Sequence, residues 1–163
     1  MTAEHTYLLK AEDIAAMDGV AKTHFQNPNA KRINKSLGDA TGLTGLGIHL
    51  IEVEPRHQTT EFHVHYQEDE AVYILAGTGE AEIGKDRVSI KAGDFLGYRK
   101  NGLAHTIHNT GTTVLQCLVI GQRLEIDIAD YPRKAQRIYR SKGMPWDLVD
   151  HDEITHPDAG PKK

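Results

Sequence analysis

Between residues 42 and 123 the chain breaks into eight short runs of strand-forming residues, at 46–53, 62–65, 71–76, 80–83, 87–91, 95–98, 105–108 and 113–120. Segments this short, rich in Val, Ile, Phe and Tyr and closed by turn residues, have the length of strands rather than helices. Their regular punctuation by glycine is the pattern of an all-β sandwich or barrel. Gly77-Thr78-Gly79 and Ala92-Gly93-Asp94 supply tight reversals. One run carries a conflict: in Leu46-Gly47-Ile48-His49-Leu50-Ile51-Glu52-Val53 the apolar phase slips between Leu50 and Ile51. Such a slip predicts a bulge that would turn His49 toward either face.

The flanks read differently. Residues 1–41 are mixed and irregular, with one short helix over 11–17 and a loop signal at Asn27-Pro28-Asn29, and are expected to form an arm. Residues 124–163 are expected to form a tail packing on the barrel or on a partner, basic from Arg133 to Lys142 and acidic from Asp147 to Glu153. Opposite blocks of this kind read as solvated faces that pair across a surface. Trp146 and Tyr139 read as caps on the barrel or anchors against a second subunit, and the final eight residues as disordered.

Composition narrows the class. A chain of 163 residues suits one domain with its own core, at 42–123, and neither motif described below is repeated. The formal charge of -4 and the lack of a basic stripe exclude nonspecific nucleic-acid binding. No segment approaches the ~18 apolar residues of a membrane span, and the first twenty residues lack signal character, so a cytoplasmic protein with no membrane partner is expected. The single cysteine, Cys117, lies in an apolar run and reads as a buried small side chain rather than a nucleophile.

Chemistry enters with His63-x-His65-x4-Glu70-x6-Gly77 and, downstream, Gly102-x2-His105-x3-Asn109. Residues two apart on a strand share a face, so His63 and His65 point one way while Phe62 and Val64 point the other. Tyr66-Gln67-Glu68-Asp69 is polar and long enough to reverse the chain, which lets Glu70 open a strand beside the first. Two imidazoles and a carboxylate leave open positions on a divalent ion, and a third imidazole from His105 still leaves room in an octahedral shell. Alternation groups His105 with Ile107 and Asn109 and turns His108 away, so His108 is not expected among the ligands. With ten histidines present, a His-x-His pair alone is expected by chance about 0.6 times; adding Glu70 and Gly77 lowers the expectation to roughly a few in a thousand.

These residues resemble the cupin superfamily, whose two motifs are Gly-x5-His-x-His-x3or4-Glu-x6-Gly and Gly-x5-Pro-x-Gly-x2-His-x3-Asn. The first matches from His63 to Gly77, the second at Gly93 and from Gly102 to Asn109. His57 stands in place of the first glycine, Arg99 in place of the proline, and one extra residue, Lys100 or Asn101, separates Gly93 from Gly102. All three departures fall in turns. The resemblance implies a jelly-roll (double-stranded β-helix) barrel in which His63, His65, Glu70 and His105 hold one divalent metal ion per chain. It also implies a homodimer. Ligand type alone leaves Fe, Mn, Ni, Co and Zn open.

Two functional classes follow. One is a metal enzyme acting on a small organic acid or sugar-like molecule, as a dioxygenase, isomerase or decarboxylase. The other is a metal-dependent protein that binds or senses a small molecule without turnover. An enzyme needs a group for proton transfer near the metal, and the candidates are Tyr73, Tyr98, Gln58, Gln116 and His49. Tyr73 sits at odd parity from Glu70 and is expected to point away. Arg99 and Lys100, just before the His105 strand, are the cations nearest the motif in sequence, although exposed Arg and Lys are more often simply solvated.

Overall fold

A computed structural model describes residues 6–158. The elements are α1 (Ala11–Ala16), β1 (Val20–His24), β2 (Asn27–Ser36), α2 (Leu37–Ala40), β3 (Leu46–Val53), β4 (Val64–His65), β5 (Glu70–Ala76), β6 (Thr78–Ile83), β7 (Asp86–Lys91), β8 (Phe95–Tyr98), β9 (His105–His108), β10 (Leu115–Gln122), β11 (Ile126–Tyr131), β12 (Gln136–Ser141) and β13 (Asp147–Asp150). The strands form a six-stranded sheet ordered β1-β2-β3-β10-β5-β8, a four-stranded sheet β13-β12-β11-β4 and a three-stranded sheet β7-β6-β9. Every strand pairing is antiparallel, as the all-β, jelly-roll expectation requires.

Alternation builds the core. On β5 Val72 and Ile74 are buried while Tyr73 and Leu75 face out; on β10 Leu115 and Cys117 point inward. They meet Ile51 and Val53 of β3, Tyr98 of β8 and, from the three-stranded sheet, Ala81, Ile90 and Ile107. Cys117 is fully buried, and burial pushes its thiol up to about 12, so it packs rather than reacts. A smaller cluster of Ala129, Tyr131 and Ile138 lies in the four-stranded sheet. None of the helices among the described residues is long and apolar enough to cross a membrane.

Three sequence expectations are revised. β3 has no bulge: it pairs with β10 in unbroken register from Leu46 to Val53, and the irregularity falls instead between Gln116 and Cys117 where β10 meets β5. The apolar phase changes because both faces are partly covered; Ile51 and Val53 face the core, while Gly38 of α2 lies so close to Ile48 that a Cβ there would stand 3.1 Å from the Ile48 nitrogen. Beyond the short helix, the irregular reading of the first 41 residues gives way to two strands that extend the six-stranded sheet. Asn27-Pro28-Asn29 is not a free loop but the start of β2, where the Asn27 side chain accepts from the Asn29 amide and proline takes a strand-start position. The tail likewise folds, β11 pairing with β4 and β12 and β13 following in order. The end expected to be disordered lies largely at residues 159–163, outside the described residues.

Gly77 shows how tightly the β5–β6 reversal is drawn. Its φ is +84°, and a Cβ would stand 2.6 Å from the Val114 carbonyl oxygen, a backbone atom that cannot swing aside. Gly77→Ala should therefore lower the unfolding free energy by about 2 kcal/mol or more in denaturant titration. A change of a few tenths would show that the reversal has room the geometry denies.

Candidate metal centre

Backbone pairing brings the motif residues together. His63 and His105 face each other across an antiparallel bridge, His63 N donating to His105 O at 3.1 Å and His105 N to His63 O at 2.8 Å. Directly opposed residues present their side chains on one face, and His65, two positions on, shares it. Glu70 is in phase with Val72 and Ile74 and so points inward. The His63 ring centroid lies 4.8 Å from that of His65 and 4.7 Å from that of His105. His63 Nε2 is 3.1 Å from His65 Nε2, and His105 Nε2 is 3.6 Å from Glu70 Oε1. Ligand atoms of His63, His65 and Glu70 all fall within 4.8 Å of one another, with His105 joining from the Glu70 side.

The other nitrogen of each ring fixes what these atoms can do. His63 Nδ1 donates to Glu61 O at 2.8 Å, His65 Nδ1 to Asp127 Oδ2 at 2.7 Å and His105 Nδ1 to Leu103 O at 3.2 Å. Carbonyl and carboxylate oxygens only accept, so in the neutral rings each Nδ1 carries the proton and each Nε2 presents a lone pair. Two lone pairs 3.1 Å apart cannot bond each other. That separation is, however, close to the ~3.0 Å between two nitrogens at right angles on an ion about 2.1 Å from each. His105 Nε2 is buried with no hydrogen-bond partner among the described residues, a cost that an electrophile would remove. The donor set of imidazole nitrogens and a carboxylate fits a divalent cation.

Electrostatics agree. Burial, reinforced by the neighbouring His65 and His105 rings, brings the His63 pKa down to about 3, so the ring stays neutral. Burial works to raise the Glu70 carboxyl, but its contact with His105 and the nearby His63 and His65 outweigh it and hold the pKa at about 2. Burial also works to lower the His65 pKa, and there Asp127 and Glu70 outweigh it, so the value is raised.

Asp127 is the functional residue that motif spacing missed. It is 1% exposed and accepts from His65 Nδ1, from Arg140 at 2.8 Å and from the Gln67 amide at 3.2 Å. Its only trace in the sequence is parity: Asp127 alternates with Ile126 and Ile128, which places it on the face of Ala129, the residue opposite His65. A hydrogen-bonded carboxylate behind a histidine orients the ring and raises its basicity.

The remaining candidates separate clearly. Tyr98 stacks on His105, with centroids 3.5 Å apart and planes 4° from parallel, and its buried hydroxyl has no partner among the described residues. Burial, then Glu70, raises its pKa, so the hydroxyl keeps its proton and is a donor. His49 faces the same cavity and contacts Asn34 Nδ2 through Nδ1 at 3.2 Å. Tyr73 is 41% exposed on the outer face, and Gln116 and Gln58 are bonded to Glu52 and Asn27. His108, as expected, turns away and meets Glu82. Arg99 and Lys100 are exposed and do not line the cavity. Trp146 borders it with Arg140 lying 5.4 Å over its ring, while remaining 62% exposed. The cavity holds about 580 Å³, the size of a small-molecule pocket.

Comparison with known proteins places this architecture. Residues 49–121 match the family model described as Cupin domain. A crystal structure from Acidithiobacillus ferrooxidans, provisionally named a sugar phosphate isomerase, is 50% identical, covers 93% of this chain and 96% of its own, and superposes with a TM-score of 0.90. A structure from Silicibacter pomeroyi, named a sugar phosphate isomerase from a cupin superfamily, is 19% identical over 89% of this chain and 95% of its own, with a TM-score of 0.77. The second shares the fold. Among proteins of curated function none matches. The chain belongs to the cupin superfamily.

Two outcomes follow. Asp127→Asn should weaken metal binding by about 10–100-fold, measured by competition with a chromogenic chelator, while the protein stays folded; unchanged affinity would remove the orienting role. In metal-free protein, His63 and His24, whose pKa burial and then Arg32 bring to about 4, stay neutral while the unfolded chain protonates near 6.5. The unfolded state then binds more protons, so these groups make stability fall as pH drops from about 6.5 toward 4. His65, raised, contributes stability below about 6.5 that is lost as pH rises through its folded value, a single opposing site. The urea midpoint of metal-free protein should accordingly drop between pH 6.5 and 4.5.

Proposed function

We propose that the protein is a metal-dependent isomerase of small phosphorylated sugars, with one divalent ion per chain held by His63, His65, Glu70 and His105. The observation that carries the metal reading is the convergence of three imidazole Nε2 atoms, each freed by an Nδ1 hydrogen bond, with an ionised carboxylate beside them. The cavity of about 580 Å³ over this cluster suits a small polar molecule. The reaction class is supported by the 50% identity, over nearly the whole chain, to the Acidithiobacillus protein.

When bound, an ion at this position supplies a Lewis acid for a carbonyl or hydroxyl oxygen. The chain's own groups do the rest. Asp127 holds the His65 ring in place, and the Tyr98 ring stacks on His105 and fixes its plane. Ile51, Val72 and Val119 give the same cavity an apolar floor. An aldose–ketose interconversion moves one proton from C2 to C1 and a second from the C2 hydroxyl to the C1 oxygen. His49, neutral because burial and then Lys22 and Arg123 lower its pKa, is an imidazole in the cavity that can carry the carbon-bound proton once its Nδ1 releases the Asn34 amide.

Purified protein loaded with Mn, Fe, Co, Ni or Zn should contain about one ion per chain, and His63→Ala combined with His105→Ala should abolish it in elemental analysis. Proton NMR of aldose and ketose phosphates should show interconversion by the loaded protein and none by that variant. Unchanged metal content in the variant would refute the ligand set. Absence of turnover with every metal and sugar phosphate tried would remove the isomerase reading.

A further inference from the structure

The two N-terminal strands give the cavity a basic side. Lys22 of β1 and Arg32 of β2 stand opposite each other in register, and both line the cavity with His24, Asn34 and His49. Arg32 is half-buried, and its guanidinium donates to the Thr59 carbonyl. Five other arginines, Arg87, Arg123, Arg133, Arg137 and Arg140, each pair with an Asp or Glu side chain. Among the described residues no carboxylate forms an ion pair with Arg32, although it lines the same cavity as Glu70. Burial is the leading influence on its pKa, lowering it, and Glu70 opposes that effect. The guanidinium therefore feels the Glu70 charge without reaching it.

Withdrawing a guanidinium from water without a counter-ion is costly, and its planar fork fits an oxyanion with two parallel hydrogen bonds. Lys22 adds a second positive charge. His24 Nδ1 accepts from the Gln26 amide at 3.2 Å, so its proton sits on Nε2 and the ring is a neutral donor. Lys22, Arg32 and His24 thus give this part of the cavity only donors, whereas the cluster at His63 gives lone pairs and a carboxylate.

We infer that Arg32, supported by Lys22, is the anion subsite of this cavity and takes the phosphate of a phosphate monoester, leaving the other end of the ligand at the His63–His65–Glu70–His105 cluster. The sugar at that other end rests on the isomerase reading; the anion subsite does not. Arg32 is then the specificity residue that separates phosphorylated from neutral sugars.

The test is calorimetric titration of inorganic phosphate into metal-loaded protein at fixed ionic strength, with chloride as the control anion. Saturable binding is expected in the parent protein, weakened about tenfold or more in Arg32→Gln, less in Arg32→Lys, and measurably in Lys22→Met, with metal content constant in all. Arg32→Gln also loses the tie to Thr59, so if it fails to fold, Arg32→Lys and Lys22→Met decide the question. Phosphate affinity unchanged in the folded variants overturns the assignment, as does phosphate binding no stronger than chloride in the parent. Arg32-dependent phosphate binding without sugar phosphate turnover removes the isomerase reading and keeps the subsite. Turnover with KM unchanged in Arg32→Lys and Lys22→Met keeps the isomerase and removes the subsite.

Discussion

A carboxylate that solvent hardly reaches ties the site to the rest of the chain. Asp127 accepts from a ring on β4, from a guanidinium on β12 and from an amide in the turn after β4. A buried anion is tolerated only when its lone pairs are filled and its charge is balanced. Arg140 extends the same knot to Glu68, just ahead of β5. The four-stranded sheet, which includes the strand that carries His65, is thereby fastened to the segment leading into β5, and Glu70 follows that segment by two residues.

Much of this was legible in the sequence because strand parity does double duty. The same two-residue period that buries Val72 and Ile74 points Glu70 inward, and the same period that turns Tyr73 out excludes it from the site. Within 42–123 the glycine-bounded runs match β3 to β10 with shifts of at most two residues at their ends. The four motif residues converge because His63 and His105 occupy opposite positions of one antiparallel bridge. Spacing along the chain shows that two histidines share a face. It does not show which distant strand completes the set, and there the family resemblance carried the expectation.

What stayed hidden has a common cause. β2 reads Asn-Pro-Asn-Ala-Lys-Arg-Ile-Asn-Lys-Ser, with little apolar periodicity, because Arg32 and Asn34 line the cavity instead of packing in the core. Hydrophobic alternation reports burial against apolar neighbours, so it goes silent on a strand whose inner face lines an open cavity. Asp127 was missed for the converse reason: a lone acid between isoleucines looks solvent-facing until β4 is laid beside it. The false bulge in β3 came from the same one-sided reading, since α2 covers part of the face expected to be wet.

The order β1-β2-β3-β10-β5-β8 puts the Arg32 hairpin at the margin of its sheet, where it leans on a single neighbour, while His63, His65, Glu70 and His105 come from later in the chain. Margins are where insertions and exchanges disturb a fold least. If Arg32 is the anion subsite, the cupin scaffold here is bipartite: one stretch of polymer carries the candidate metal cluster, and another, attached along one seam, carries the group that selects its ligand. Exchanging that hairpin would then alter which ligand is held while leaving the strands that carry His63, His65, Glu70 and His105 in place.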